Sequence, residues 1–182
     1  AGGTLFKRKS SKKNNSLYWI IVTKLQSNTP KIKVLRRKNE IKKISKLFGF
    51  KKVFQLNFNT TELDSSSKKR LIKDFSDIFK KIKPYELFVP HFSDVHSDHK
   101  IVSEVISTCT KNFRFPFIKK ILAYEVLSET DYNLNRKKIF FPNYYEDISK
   151  FITKKKNAMR IYKSEIKKFP FPRSIKTIDA LA

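Results

Sequence analysis

The sequence predicts an α/β fold built on a mainly parallel sheet. Apolar runs of strand length alternate with stretches of helical periodicity along most of the chain. The order strand, helix, strand, helix, strand, helix recurs, which calls for crossovers and hence parallel pairing. All three histidines lie in residues 90–99, where a strand hands over to a helix. In open α/β sheets that edge, beyond the carboxyl ends of the strands, is where ligands bind.

Taken in order, residues 1–16 are polar and basic, with Lys7, Arg8, Lys9, Lys12 and Lys13, and read as the end of a helix or a mobile lead-in. Residues 18–23 are rich in β-formers and read as a buried strand. A loop at 27–30 leads to a helix over 35–48, with Ile41, Ile44 and Leu47 on one face and Gly49 just past its end. Residues 53–58 alternate apolar and polar and predict the next strand. After a polar loop at 59–66, Leu71, Ile72, Phe75, Ile78, Phe79 and Ile82 form one apolar face of a helix over 67–82, stopped by Lys83-Pro84. A strand over 86–90 precedes the histidines, and Ile101, Val102, Val105, Ile106 and Cys109 predict a helix laid on a sheet, reaching about Thr110. Residues 118–124 read as a further strand and 131–138 as a loop. Residues 139–145, with Pro142, read as an edge strand or extended segment. A long helix is expected over 146–168, broken near 154–156, with Phe169-Pro170-Phe171-Pro172 as its stop and a tail beyond. No internal repeat or linker divides the chain, so one domain over 1–182 is expected.

Composition narrows the function classes. A hydrophobic fraction of 40%, with 17 Phe and 7 Tyr, excludes simple disorder. Three glycines are too few for a glycine-rich phosphate loop. A single cysteine allows no internal disulfide and suits a reducing compartment, so a cytoplasmic location is expected. The longest apolar run, residues 17–22, is far short of a membrane span, and no signal-peptide pattern is visible. The 41 basic and 16 acidic residues give a net charge of +25. One reading is attraction to a polyanion; the other is a lysine-biased solvated surface. Lysine dominates the excess and is spread over almost every segment, which favours the second reading, and no specific nucleic-acid partner is expected.

The chemistry concentrates in His96, Asp98 and His99. Histidines three apart at a helix start lie on one side. Neutral imidazole is a good zinc ligand and a carboxylate a good partner for it. One ring can bind a metal while the other acts as acid or base. A catalytic zinc needs about three protein ligands, so this segment cannot complete a site alone. Helix-capping histidines in a polar loop are the alternative, and spacing alone leaves both readings open.

The motif His96-Ser97-Asp98-His99 resembles the second signature, His-x-Asp-His, of the LmbE/PIG-L family of zinc-dependent sugar de-N-acetylases. Further matches follow in order: Arg37-x-x-Glu40 with Leu47-Phe48-Gly49, Tyr124-Glu125, Ser128-Glu129-Thr130, Phe141-Pro142-Asn143-Tyr144, Asp147-Ile148-Ser149, Tyr162-x-Ser164-Glu165 and Pro172-Arg173-Ser174. The family's first signature, Ala-His-Pro-Asp-Asp-Glu, does not occur in residues 1–182, although Gly2-Gly3-Thr4 resembles the Gly-Gly-Thr that follows it. The resemblance implies a three-layer α/β/α sandwich with a Rossmann-like sheet lacking its first strand. It also implies a single domain over 1–182, truncated at both ends, with an inactive family relative as the alternative. The implied activity is removal of the N-acetyl group from an N-acetylglucosamine-type sugar conjugate, with zinc as cofactor. His99 would ligate the metal, His96 would stabilise the oxyanion and protonate the leaving amine, Asp98 would orient His96, and Arg37 would reach the substrate. Asp94 has no assigned role, and His91 is expected to be structural. A basic polyanion- or nucleic-acid-binding module without catalysis is the rival reading.

Overall fold

The computed structural model describes residues 1–11 and 15–182, so Lys12 and Lys13 of the basic lead-in lie outside the described residues. The chain is a mixed α/β structure. Its elements are α1 (Gly2–Ser10), β1 (Tyr18–Lys24), α2 (Lys31–Phe48), β2 (Lys52–Asn59), α3 (Lys68–Ile82), β3 (Glu86–Pro90), α4 (Ser97–Cys109), β4 (Lys120–Tyr124), α5 (Ile152–Ile161) and α6 (Ile175–Ala180). The strands form two pairs, β1 with β2 and β3 with β4. Two compact units result, one made of Ala1–Asn57 and Pro142–Ala182, the other of Phe58–Phe141. Among the described residues no helix is long and apolar enough to cross a membrane.

The first unit is held by stacked aromatics. Phe6, Ile44, Phe48 and Ala158 are buried together, with Trp19, Phe50 and Tyr162 packed against them. The rings of Phe6 and Phe48 stack at 4.1 Å between centroids. Burying a ring of this size contributes about 2–3 kcal/mol. Helix α2 stops where Gly49 takes φ 64° and ψ 42°. There the Gly49 and Phe50 amides donate to the Lys46 and Ser45 carbonyls, a left-handed cap that glycine adopts without steric cost. The basic lead-in is helical from Gly2. At Gly3 a Cβ would stand 2.5 Å from Cδ1 of Ile148, so the missing side chain is what lets α1 lie against that segment. Lys7 and Arg8 pair with the Glu146 carboxylate at 2.5 and 2.9 Å. Burial works to raise the Glu146 pKa, but hydrogen bonds from Lys7, Tyr144 and Arg8 outweigh it and bring the group down to about 2.

Two stretches of this C-terminal region depart from the sequence expectation. Residues 139–145, read as an edge strand or an extended segment, form no strand. The helix expected over 146–168 is a 3-10 turn at Ser149–Phe151 followed by α5, unbroken at 154–156 and finished at Ile161. Its end has a physical cause: the Ser164 amide and hydroxyl donate to the buried Glu40 carboxylate at 3.1 and 2.9 Å, so that amide bonds to α2 and not to a carbonyl of its own helix. The expected tail contains α6, capped by the Ser174 hydroxyl accepting from the Thr177 amide.

The second unit is a βαβ arrangement. Strands β3 and β4 run parallel, in a register from Glu86 opposite Lys120 to Pro90 opposite Tyr124. Both strands therefore end at the same edge. Helix α3 starts at the Ser67 cap and ends where Lys83 enters the left-handed region ahead of Pro84. It buries Leu71, Phe75, Ile78 and Phe79, the face that its periodicity predicts. From α4, Val105, Ile106 and Cys109 are buried. Cys109 is a free thiol, and burial pushes its pKa up.

Candidate active site

Residues 91–96 connect β3 to α4, and backbone bonds shape this loop before any side chain acts. The Asp94 amide donates to the His91 carbonyl at 3.2 Å, and the Val95 amide donates to the Glu129 carbonyl at 3.3 Å. The loop is thereby tied to the segment that leaves β4. His96 then caps α4, its Nδ1 accepting from the Asp98 amide at 3.2 Å. A ring nitrogen that accepts carries no proton, so neutral His96 holds its proton on Nε2.

His99 is set the opposite way. Its Nδ1 lies 2.8 Å from Oδ2 of Asp94. A carboxylate can only accept, so Nδ1 of His99 is the protonated nitrogen, and in the neutral ring Nε2 carries the lone pair. The two rings stack at 4.7 Å between centroids and 19° between planes. Neither Nε2 has a hydrogen-bond partner among the described residues. The pair thus offers a donor from His96 beside an electron pair from His99.

Asp94 is fully buried. Its second oxygen accepts from the Thr130 hydroxyl at 2.5 Å, and that hydroxyl oxygen accepts from the Val126 amide at 2.7 Å. An amide, a hydroxyl, a carboxylate and an imidazole form one relay that orients the His99 ring. A hydrogen-bonded carboxylate behind a histidine is the arrangement found behind metal-ligating imidazoles. Burial, with the Asp94 charge adding to it, pushes the Tyr124 phenol up to about 12, so this neighbour stays protonated and neutral.

Asp98 does other work. Its Oδ2 accepts from the Thr61 amide at 2.8 Å and the Thr60 hydroxyl at 3.4 Å, and its Oδ1 accepts from the Leu63 amide at 3.4 Å. The side chain is buried, and it clamps the 60–63 loop to the start of α4. Its contact with His96 runs through the backbone amide and not through the carboxylate. His91 is buried between the rings of Phe92 and Phe140, with the Ser93 hydroxyl 2.6 Å from its Nδ1. Burial lowers its pKa, against the pull of Asp94, and keeps the ring neutral.

Arg37 belongs to the first unit, whereas His96, Asp98 and His99 belong to the second. Its guanidinium sits 5.3 Å from the centre of the Tyr162 ring. Burial pushes that phenol up to about 12. Three residues along, Glu40 holds Ser164.

Among the described residues no group of three or more His, Cys, Asp or Glu side chains is arranged to hold a metal ion. His99 Nε2 suits one position of such a site, and residues 1–182 as described do not complete it. Sequence reasoning missed the role of Asp94, which precedes His99 by five residues and reaches it only because the loop folds back. Thr130 was visible within the Ser128-Glu129-Thr130 match, but its partner was not.

Three solved structures share the fold. The conserved protein TT1542 from Thermus thermophilus is 22% identical, with a TM-score of 0.71 over 98% of this chain and 76% of its own. N,N'-diacetylchitobiose deacetylase from Pyrococcus horikoshii is 22% identical, with a TM-score of 0.63 over 90% of this chain. The present chain spans 64% of that deacetylase's length. The 4-carboxy-2-hydroxymuconate hydratase GalB from Pseudomonas putida is 13% identical, with a TM-score of 0.70 over 91% of this chain and 73% of its own. A deacetylase and a hydratase on one fold mean that the fold alone does not assign the chemistry. The sequence itself matches the family model PIG-L: GlcNAc-PI de-N-acetylase over residues 1–110, and the chain belongs to that family.

Proposed function

We propose that the intact protein is a metal-dependent de-N-acetylase that removes the acetyl group from an N-acetylglucosamine-type sugar conjugate. The observation that carries this reading is the opposed setting of the two stacked imidazoles, a donor on His96 beside a lone pair on His99. The family match and the deacetylase among the structural neighbours support the same class.

His99 would contribute one ligand, held in its tautomer and direction by Asp94. The other ligands and the general base would come from residues other than those of the histidine loop, the family's His-Pro-Asp-Asp signature being the source that the resemblance implies. Zinc fits an imidazole and carboxylate donor set, and when bound it supplies Lewis-acid polarisation of the amide carbonyl. His96 Nε2–H would donate to the carbonyl oxygen as negative charge builds on it, then pass its proton to the departing amine. Asp98 would act as a positioning residue, fixing the first turn of α4 and so the His96 ring. Arg37 would reach the substrate, a role that the family resemblance alone implies. The free, buried cysteine supports a cytoplasmic location.

The test is acetate release and metal content in the intact protein. His99→Ala is expected to lose stoichiometric metal and at least about 100-fold in kcat/KM. His96→Ala is expected to keep its metal and lose about 100- to 1,000-fold in kcat. Full activity and full metal in His99→Ala would refute the assignment.

A further inference from the structure

Helix α2 covers strand β2 incompletely. A groove of about 610 Å³ lies between them, wholly within the first unit, and its volume is in the range of ligand sites. Val53 and Gln55, two apart and so on one face of β2, line it from the strand. Lys38, Lys42 and Lys46 line it from the helix, and Ile41 and Phe50 add apolar surface. Among the described residues β2 pairs with β1 and with no other strand. No residue of β1 lines the groove, so it opens beside the unpaired edge of β2, a row of backbone donors and acceptors.

The charge of this groove has one sign. The lysines are four residues apart, which sets them in one row at steps of about 6 Å, about 12 Å long in all at 1.5 Å per residue. A fourth ammonium stands at the Gly49 end, where a Cβ on that glycine would lie 3.7 Å from Nζ of Lys9. No acidic residue lines the groove, and among the described residues Lys38, Lys42 and Lys46 make no ion pair. An extended peptide added along the edge of β2 would set alternate side chains toward α2 at intervals of about 6.6–6.8 Å. That interval is close enough to the lysine steps for the flexible stems to reach every acid.

We propose that this edge and groove bind an acidic extended segment of a partner protein as an added strand, with Asp or Glu at every second position facing Lys38, Lys42 and Lys46. The opposite face of β2 carries Phe54 and Leu56, so the intervening positions of the segment are apolar or β-branched. A second copy of this chain fits poorly, because a net charge of +25 would meet the same lysines. A single-stranded nucleic acid needs open rings for its bases, whereas Phe50 is already packed against Phe48 and Trp19 at 5.4 and 5.5 Å between centroids. The proposal does not rest on the de-N-acetylase reading, since that reading uses none of these residues.

Two labelled octapeptides of one composition test it by fluorescence anisotropy on the full chain, one alternating Glu with Val, the other with four Glu ahead of four Val. The alternating peptide is expected to bind about tenfold tighter, a gain that shrinks with added salt. The three groove lysines are exposed, so Lys38→Gln/Lys42→Gln/Lys46→Gln should keep its thermal transition while losing that preference. The same charge removed elsewhere, in Lys69→Gln/Lys81→Gln/Lys111→Gln, should change binding by no more than about twofold. Methylating one alternate set of the peptide's backbone amides should abolish binding, and methylating the other set should spare it, because an added strand pairs along one side. Equal binding of the two isomers, a preference that survives the groove variant, or equal binding of the two methylated peptides would each overturn the proposal. Tighter binding of an oligothymidylate, lost in the groove variant, would give the groove to nucleic acid. Self-association of the free chain in sedimentation, lost in the same variant, would give it to a second copy.

Discussion

The histidine loop of the second unit and helix α2 of the first use carboxylates in the same way. In each, acidic side chains are buried while the cationic or titratable groups beside them remain within reach of solvent. Asp94, Asp98 and Glu40 are 0%, 5% and 4% exposed. Each joins its own element to a distant stretch of chain: Asp94 to Thr130, Asp98 to Thr61, and Glu40 to Ser164, 124 residues away. His96, His99 and Arg37 stay only partly covered. Asp98 and Glu40 accept from backbone amides, whereas Asp94 accepts from the Thr130 hydroxyl and the His99 ring. They differ in what they brace, because Asp94 holds a ring whose other nitrogen is open, whereas Glu40 holds a serine.

That difference can be broken or sharpened by substitution. Asp94→Ala should have the largest effect. It strands the His99 Nδ1–H and the Thr130 hydroxyl in a buried site, at a cost of about 3 kcal/mol in urea unfolding. In the intact protein it should also weaken metal binding about 10- to 100-fold. An unchanged metal affinity would erase the distinction between the two carboxylates. Glu40→Ala should cost about 2 kcal/mol, and Glu40→Gln about half that, since the amide keeps one acceptor. Metal affinity should not move in either variant. A Glu40 penalty larger than that of Asp94 would reverse the ranking.

Glu146 supplies the smallest effect and a contrast of another kind, a carboxylate at the rim. Its pKa of about 2 in the folded chain lies below the ordinary 4.5, so the tie to α1 is fully present above about pH 4.5 and is lost as pH falls toward 2. Solvent screening limits its worth to about 1 kcal/mol. The stability gap between the unsubstituted protein and Glu146→Gln should be widest near neutral pH and close as the solution is acidified. A gap that is constant from neutral to acid pH would show that the tie does not depend on charge.

Much of the fold was legible from periodicity alone, because the main helices and strands bury faces that repeat at helical or strand spacing. The amphipathic run ending at Ile82 and the strand ending at Pro90 are found where the pattern puts them. The misreadings have two causes. Residues 162–168 have helical composition, yet the Ser164 amide is drawn off by a glutamate from another element, which no local pattern reveals. Six-residue α6 is too short for periodicity to register, although its serine cap was there to be read. Spacing singled out His96 and His99 as candidates, and a motif match singled out Arg37, which belongs to the other unit. Asp94 did not, because its pairing depends on a loop that doubles back and on a threonine 36 residues later. Asp98 was visible, but the direction of its side chain was not.

The Asp94–Thr130 bond has a consequence for anyone who would move this loop into another protein. Residues 90–99 alone would carry both imidazoles across and leave behind the hydroxyl that pins the acid behind one of them. The smallest transplantable piece runs from the 60–63 loop through Thr130, so that Asp98 as well as Asp94 keeps its partners, the strand pair and its helices included. Inheritance of the chemistry is therefore at the scale of a supersecondary unit, and a shorter graft would give histidines with no fixed aim.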